Sequence, residues 1–211
     1  MILRDEQKKI TRQRIIDAAG RGFRKGGYGG IGVDALAKEA GMTSGAFYVH
    51  FDSKKAAFQE SMLQGMLELQ EAVRHLQAQH DKAWWPQFVR FYLSVKRTCD
   101  LSESCALQSL PAEIARLDEP LRAQFEAELR KLAKAIAEGP PSPVTPADEE
   151  SAYAALALLA GAVTLARAVS SESLSRKIAQ GALQALLPMK EKPKAAPKKR
   201  ATKKAAIKKR K

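Results

Sequence analysis

Between residues 12 and 24 the apolar positions Ile15, Ile16, Ala18, Ala19 and Phe23 recur at helical spacing. This predicts a first amphipathic helix, with Thr11 placed as its N-cap and Gly26-Gly27 ending it. A second helix is predicted from Val33 to Ala40, where Val33, Leu36, Ala37 and Ala40 share one face. Gly41 follows it directly and suits a position that must take positive φ. A third, very short helix runs from Ser44 to His50, with Thr43 as cap and Phe47 and Phe51 one turn apart to bury.

After Asp52-Ser53 a long periodic stretch begins at Lys54 and continues to His80. Further helices are predicted over 84–99, 103–117, 119–138, 147–169 and 172–187. The breaks between them fall at Asp81-Lys82, Asp100-Leu101-Ser102, Asp118-Glu119-Pro120 and Gly139-Pro140-Pro141-Ser142-Pro143. No stretch sustains the strict alternation of a half-buried strand, so the fold class is all-α. The expected organisation is a three-helix head over 1–53, a helical sensing and dimerisation domain over 54–188, and a tail over 189–211. That tail is low-complexity Lys/Ala/Pro with almost nothing to bury, and is expected to stay disordered.

Three short helices ahead of residue 51, the second and third joined by Ala-Gly-Met-Thr, form a helix-turn-helix pattern. In that motif one helix braces while the next lies in the major groove. The geometry asks for a sharp turn at Gly41, for Leu36 and Phe47 to meet, and for small residues facing the bases. Thr43, Ser44, Gly45 and Ala46 meet the last demand.

Charge supports a polyanion partner. The chain of 211 residues carries a net charge of +13, divided as +5 over 1–55, −3 over 56–188 and +11 over 189–211. Basic ends on a mildly acidic body suit nucleic acid, whose counterions are released when Lys and Arg meet phosphates. A basic tail also has a plain solubilising reading.

At this point the residues resemble a family. The run from Arg14 through Lys55, above all GYGGIGVDALAKEAGMTSGAFYVHFDSK, is similar to the head of TetR-type regulators in order, spacing and residue type. The resemblance implies phosphate contacts by Tyr48, His50 and Lys54. It implies Thr43, Ser44, Gly45 and Ala46 against base edges or backbone, and Lys8, Lys9 and Arg12 toward the flanking backbone or minor groove. Gly32 departs from the Ser or Thr common before the second helix, and few long polar side chains face the groove, so direct bidentate base readout is thin.

The resemblance further implies a body whose central helices enclose an effector pocket and whose last two helices pair with a second copy. Leu156, Leu159, Val163 and Ala166 form one stripe, and Leu174, Ile178, Ala182 and Leu186 another. Both stripes are expected at a four-helix dimer seam, with the chain's own core as the alternative. The aromatic stretch Trp84, Trp85, Phe88, Phe91, Tyr92 reads either as core or as pocket wall. The segment SESCALQSLPAEI resembles the branch of these regulators in which a cysteine just inside the sixth helix senses electrophiles or oxidants. That would make Cys105 the sensing thiol, alongside Trp85, Phe88 and Tyr92 in the pocket. A buried structural cysteine is the alternative, and Glu103 opposes its ionisation.

Two cysteines are too few for a disulfide-stapled fold, and the initial residues lack a signal-peptide pattern, so a cytoplasmic protein is expected. The Ala-rich stretch 152–169 carries Arg167 and reads as a buried interface helix rather than a membrane span. Three histidines without a nucleophile, phosphate loop or metal spacing leave nothing to catalyse with, so no enzyme, cofactor or metal site is expected. The sequence therefore predicts a sequence-specific DNA-binding regulator, a homodimer on double-stranded DNA. It is expected to be a repressor released by a small-molecule or thiol-reactive effector, without membrane partners. The competing class is an architectural DNA-binding protein gripping mainly through its Lys-rich tail.

Overall fold

The computed structural model describes residues 2–188, and the tail over 189–211 lies outside the described residues. Ten α-helices follow one another: α1 Ile2–Gly30, α2 Val33–Glu39, α3 Ser44–Tyr48, α4 Lys54–His80, α5 Trp84–Thr98, α6 Ala106–Ser109, α7 Pro111–Ile114, α8 Glu119–Ala137, α9 Glu149–Ala168 and α10 Glu172–Leu186. Single 3-10 turns occupy Asp81–Ala83 and Leu101–Glu103, and the described residues contain no strand.

Two boundaries differ from the sequence reading. Helix α1 begins well before Thr11, because no Gly or Pro interrupts residues 2–11. Thr11 therefore lies mid-helix, and its hydroxyl donates to the Gln7 carbonyl at 2.8 Å instead of capping. The helical run also passes Gly26 and breaks only at Gly27, whose φ of 70° and ψ of 170° are non-helical, before a last turn to Gly30.

The helix expected over 103–117 is three pieces: a 3-10 turn, α6 and α7. Cys105, at φ −81° and ψ 137°, is extended and precedes α6 as its N-cap residue rather than sitting inside the helix. Pro111 then stops α6 and opens α7, since it cannot donate the backbone hydrogen bond that a continuous helix needs.

Helix α4 is the spine, packing on α1, α5, α6 and α8. Its Phe58 ring meets Phe23 edge-on at 5.0 Å and Tyr28 at 5.1 Å. One continuous core thus runs from Ile15 and Leu36 in the head, through Phe58 and Met62, to Trp84 and Val163 in the body. Rigid packing of this kind lets a shift of α4 or α1 reach the head.

Helix α9 packs on α5, α8 and α10, and Asp148 and Ser151 close a capping box at its start. Its stripe Leu156, Leu159, Val163 and Ala166, expected at a dimer seam, is instead buried in the chain's own core, because α5, α8 and α10 pack on that face. The opposite face, with Ala154, Leu158, Gly161 and Leu165, is the exposed one. Helix α9 is long and apolar enough to pass as a span, at mean hydropathy 1.5, but one face of it lies against four other helices of this fold, α5, α6, α8 and α10.

Candidate functional site

Thr43, at φ −87° and ψ 158°, caps α3, and its hydroxyl oxygen accepts from the Ala46 N–H at 3.2 Å. Gly41 takes φ +74° in the turn before it, a conformation only glycine adopts without strain. Beneath α3, Leu36 and Phe47 are both fully buried, so the crossing of α2 and α3 is fixed by packing. What remains outward is a short, flat surface of Thr43, Gly45, Tyr48 and Val49.

The residues expected on DNA divide into free and occupied groups. Lys8 and Lys9 are exposed on α1, and Tyr48 is 55% exposed with its ring edge-on to Phe47 at 5.5 Å. Ser44 donates to the Asp34 carboxylate, and Ala46 is half-buried. Lys54 lies 4.6 Å over the Tyr28 ring at the start of α4. His50 is half-buried, with its Nδ1 enclosed and without a hydrogen-bond partner among the described residues. Arg12 departs from expectation: it pairs with Glu60 of α4 and stacks 4.7 Å over Phe51, so its guanidinium braces head to body. The sequence reading passed over Val49, which is 69% exposed, because an apolar residue inside a helical pattern carries no mark of which way it points.

Behind the head, α4, α5 and the segment before α6 enclose an open-sided cavity of about 520 Å³, within the range of about 300–1,000 Å³ typical of small-molecule sites. Leu69, Leu76, Phe88 and Phe91 supply apolar wall, and Tyr92 and Cys105 supply polar atoms. Trp85, placed in this wall by the sequence reading, instead stands behind it in the core, its ring against Phe88 at 5.7 Å. Trp85, Phe88 and Tyr92 share one face of α5, so the difference is position along the helix: Trp85, in the first turn, packs on Trp84, while Phe88 and Tyr92, one and two turns further on, reach the opening.

Two groups in the wall are unusual. The Tyr92 hydroxyl is buried without a hydrogen-bond partner, beside the Cys105 thiol yet not at bonding geometry with it. Burial, and then Cys105, push the Tyr92 hydroxyl well above its ordinary pKa. Burial likewise pushes the Cys105 thiol up, with the Leu107 and Gln108 backbone N–H groups and the Lys96 charge opposing it, so the thiol is protonated at neutral pH.

The segment leading to Cys105 is held by three cations from three elements. Arg24 of α1 donates from Nε to the Ser102 carbonyl at 2.7 Å, and Lys96 of α5 donates to the Glu103 carbonyl at 2.7 Å. Arg167 of α9 donates to the Lys96 carbonyl at 2.8 Å and the Cys99 carbonyl at 2.9 Å, with Cys99 Sγ 3.0 Å from its Nη2. Arg24 also lines the cavity, so a residue of the head's first helix reaches the body's binding space. No local motif marks Arg24, because it joins the site only through the packing of α1 on the 101–103 turn.

Against known proteins, a family model described as "Bacterial regulatory proteins, tetR family" matches residues 15–60. The chain is 30% identical over 118 residues to the HTH-type transcriptional regulator LmrA of Bacillus subtilis, covering 53% of this chain and 61% of that protein. It is 45% identical over 53 residues to the uncharacterized HTH-type transcriptional regulator TtgW of Pseudomonas putida, covering 25% of this chain and 40% of that protein. The matches thus span less than two thirds of either relative. The fold is similar to that of reduced E. coli NemR at TM-score 0.68 and 20% identity, covering 84% of this chain and 95% of that one. It is similar too to a TetR family regulator from Cytophaga hutchinsonii, at TM-score 0.67 and 17% identity over 85% and 94%.

Proposed function

We propose that this chain, whose residues 15–60 match the model of the tetR family of bacterial regulatory proteins, is a sequence-specific repressor, released from DNA by a small molecule in the cavity behind its head. The observation that carries this reading is the α2–α3 unit. Gly41 turns it, Leu36 and Phe47 lock it, and short side chains lie on its outer face where a groove floor must approach.

Two such units in a homodimer would occupy successive major grooves. The exposed small-residue face of α9, with Leu158, Gly161 and Leu165, together with Leu174 of α10, favours pairing there. The cytoplasm is the compartment that suits such a protein.

Release follows from the cavity's position. Gly65, Leu69 and Leu76 bring α4 into its wall, and α4 starts at Lys54 beside the DNA face. Arg24 supplies a second route: an occupant that moves the 102–105 segment pulls on α1 through the Ser102 carbonyl. The protonated, buried Cys105 favours a compound that first enters the cavity over one that reacts with any free thiol.

The test is affinity for a duplex selected from a random pool, measured across salt for the full chain and for a chain ending at residue 188. A shallower salt slope with sequence preference retained supports a head that reads and a tail that adds phosphate contacts. Loss of all sequence preference on removing 189–211 refutes it in favour of the tail-dominated architectural reading.

A further inference from the structure

The outer face of α3 has almost no means of forming the polar base contacts on which specificity usually rests. Between Thr43 and Val49 there is no Arg, Lys, Asn or Gln, the residues that pair bidentately with guanine or adenine in the major groove. Of the three hydroxyls, Ser44 donates to Asp34, Thr43 caps the Ala46 N–H, and the exposed Tyr48 is the one that the regulator reading places on phosphate. Yet Val49, at 69%, is the most exposed of the large hydrophobic residues described. It lies one turn after Gly45, where an added Cβ would meet only the Thr43 hydroxyl, at 3.9 Å. The result is a notch without a side chain, ending in an exposed pair of methyl groups, on the helix that the regulator reading lays in the groove.

The floor of the major groove offers one apolar feature, the 5-methyl of thymine. We infer that Val49 is a base-reading residue whose methyls seat against a thymine 5-methyl in each half-site, with Gly45 providing the close approach that puts them there. The inference rests on the proposed regulator function and adds the chemistry of its readout: α3 discriminates by apolar contact, while Tyr48, Lys8 and Lys9 position the head on phosphates.

The experiment uses the full chain and the duplex it selects from a random pool, with affinity read by fluorescence anisotropy at fixed salt. Each thymine in the selected site is replaced in turn by deoxyuridine, which removes the methyl and leaves base pairing intact. At the thymine under Val49, the loss of one buried methyl is expected to weaken binding about 4-fold, and replacement in both half-sites about 15-fold. Val49→Ala should weaken binding to the thymine duplex comparably and be indifferent to deoxyuridine at that position, while remaining as sensitive as the parent to changes elsewhere in the site. Because Val49 is exposed, the variant should keep the parent's helical content and unfolding midpoint, which are measured alongside.

Equal affinity of the parent for thymine and deoxyuridine duplexes overturns the inference. So does a Val49→Ala variant that retains the parent's full deoxyuridine sensitivity. Failure to enrich any sequence is a different result: it brings down the regulator reading itself, and this inference with it.

Discussion

The outer face of α3 and the cavity behind it are built on opposite principles. On α3 the supporting groups are satisfied: Thr43 caps, Ser44 is bonded to Asp34, and Phe47 is sealed beneath. The cavity keeps an unpartnered Tyr92 hydroxyl, a protonated Cys105 thiol and about 520 Å³ of open space. A surface that meets one fixed shape is finished in advance. A site that waits for an occupant carries an unmet hydrogen-bonding demand until the occupant arrives.

Core substitutions should expose this contrast most strongly. Phe47→Ala empties a fully buried ring position under α3. We expect it to cost about 3–5 kcal/mol in denaturant unfolding and to abolish sequence-selective DNA binding. On the other side, Tyr92→Phe removes a buried hydroxyl that has no partner. It should leave stability unchanged or raise it by about 1–2 kcal/mol, since an unsatisfied buried group costs about that much. A large loss from Tyr92→Phe would mean that the hydroxyl is already satisfied, and the contrast would fail.

The junction between the two regions is tested at Arg24. Arg24→Gln removes a charged donor to the Ser102 carbonyl, a bond worth about 1.5–3 kcal/mol at most and less where the arginine is only half-buried. Operator affinity should change little. A compound found to release the parent from DNA should still bind the variant but release it less completely, as read by gel shift.

The smallest effect concerns pH. In a Cys99→Ser background, iodoacetamide labelling of Cys105 should stay slow through neutral pH and rise only at more alkaline pH than a free thiol, because burial favours the protonated form. The sign for stability matches: the buried neutral thiol stabilises the fold below the ordinary thiol pKa, and that contribution is lost as pH rises through the folded value. Mass spectrometry of labelling against pH checks it, and an inflection below the ordinary thiol range would contradict it.

The same contrast governs how much could be read from the sequence. The head is local: Thr43, Gly41 and the Phe47–Phe51 spacing act within a dozen residues, and each does in the structure what its type and position imply. Most helices of the body were legible from apolar periodicity. The breaks around Cys105 were less so, because the extended backbone there and the start at Pro111 overrule a pattern that reads as one helix. The cavity was the least legible. Its members come from α1, α4, α5 and the 103–106 segment, so Phe88 and Tyr92 reach it while Trp85 does not, and Arg24 enters it from the head. Which turn of each helix comes to lie against the opening decides this, and no short motif records it. The buried stripe on α9 shows the same limit: periodicity located a face but not whether that face meets the chain's own core.

The most direct test of the central claim is a hydroxyl-radical footprint of the full chain on its selected duplex. The account predicts two protected patches on one face of the DNA, their centres about 34–36 Å apart or a multiple of that, weakened together by Phe47→Ala. Uniform protection along the duplex, unaffected by that substitution, would contradict it.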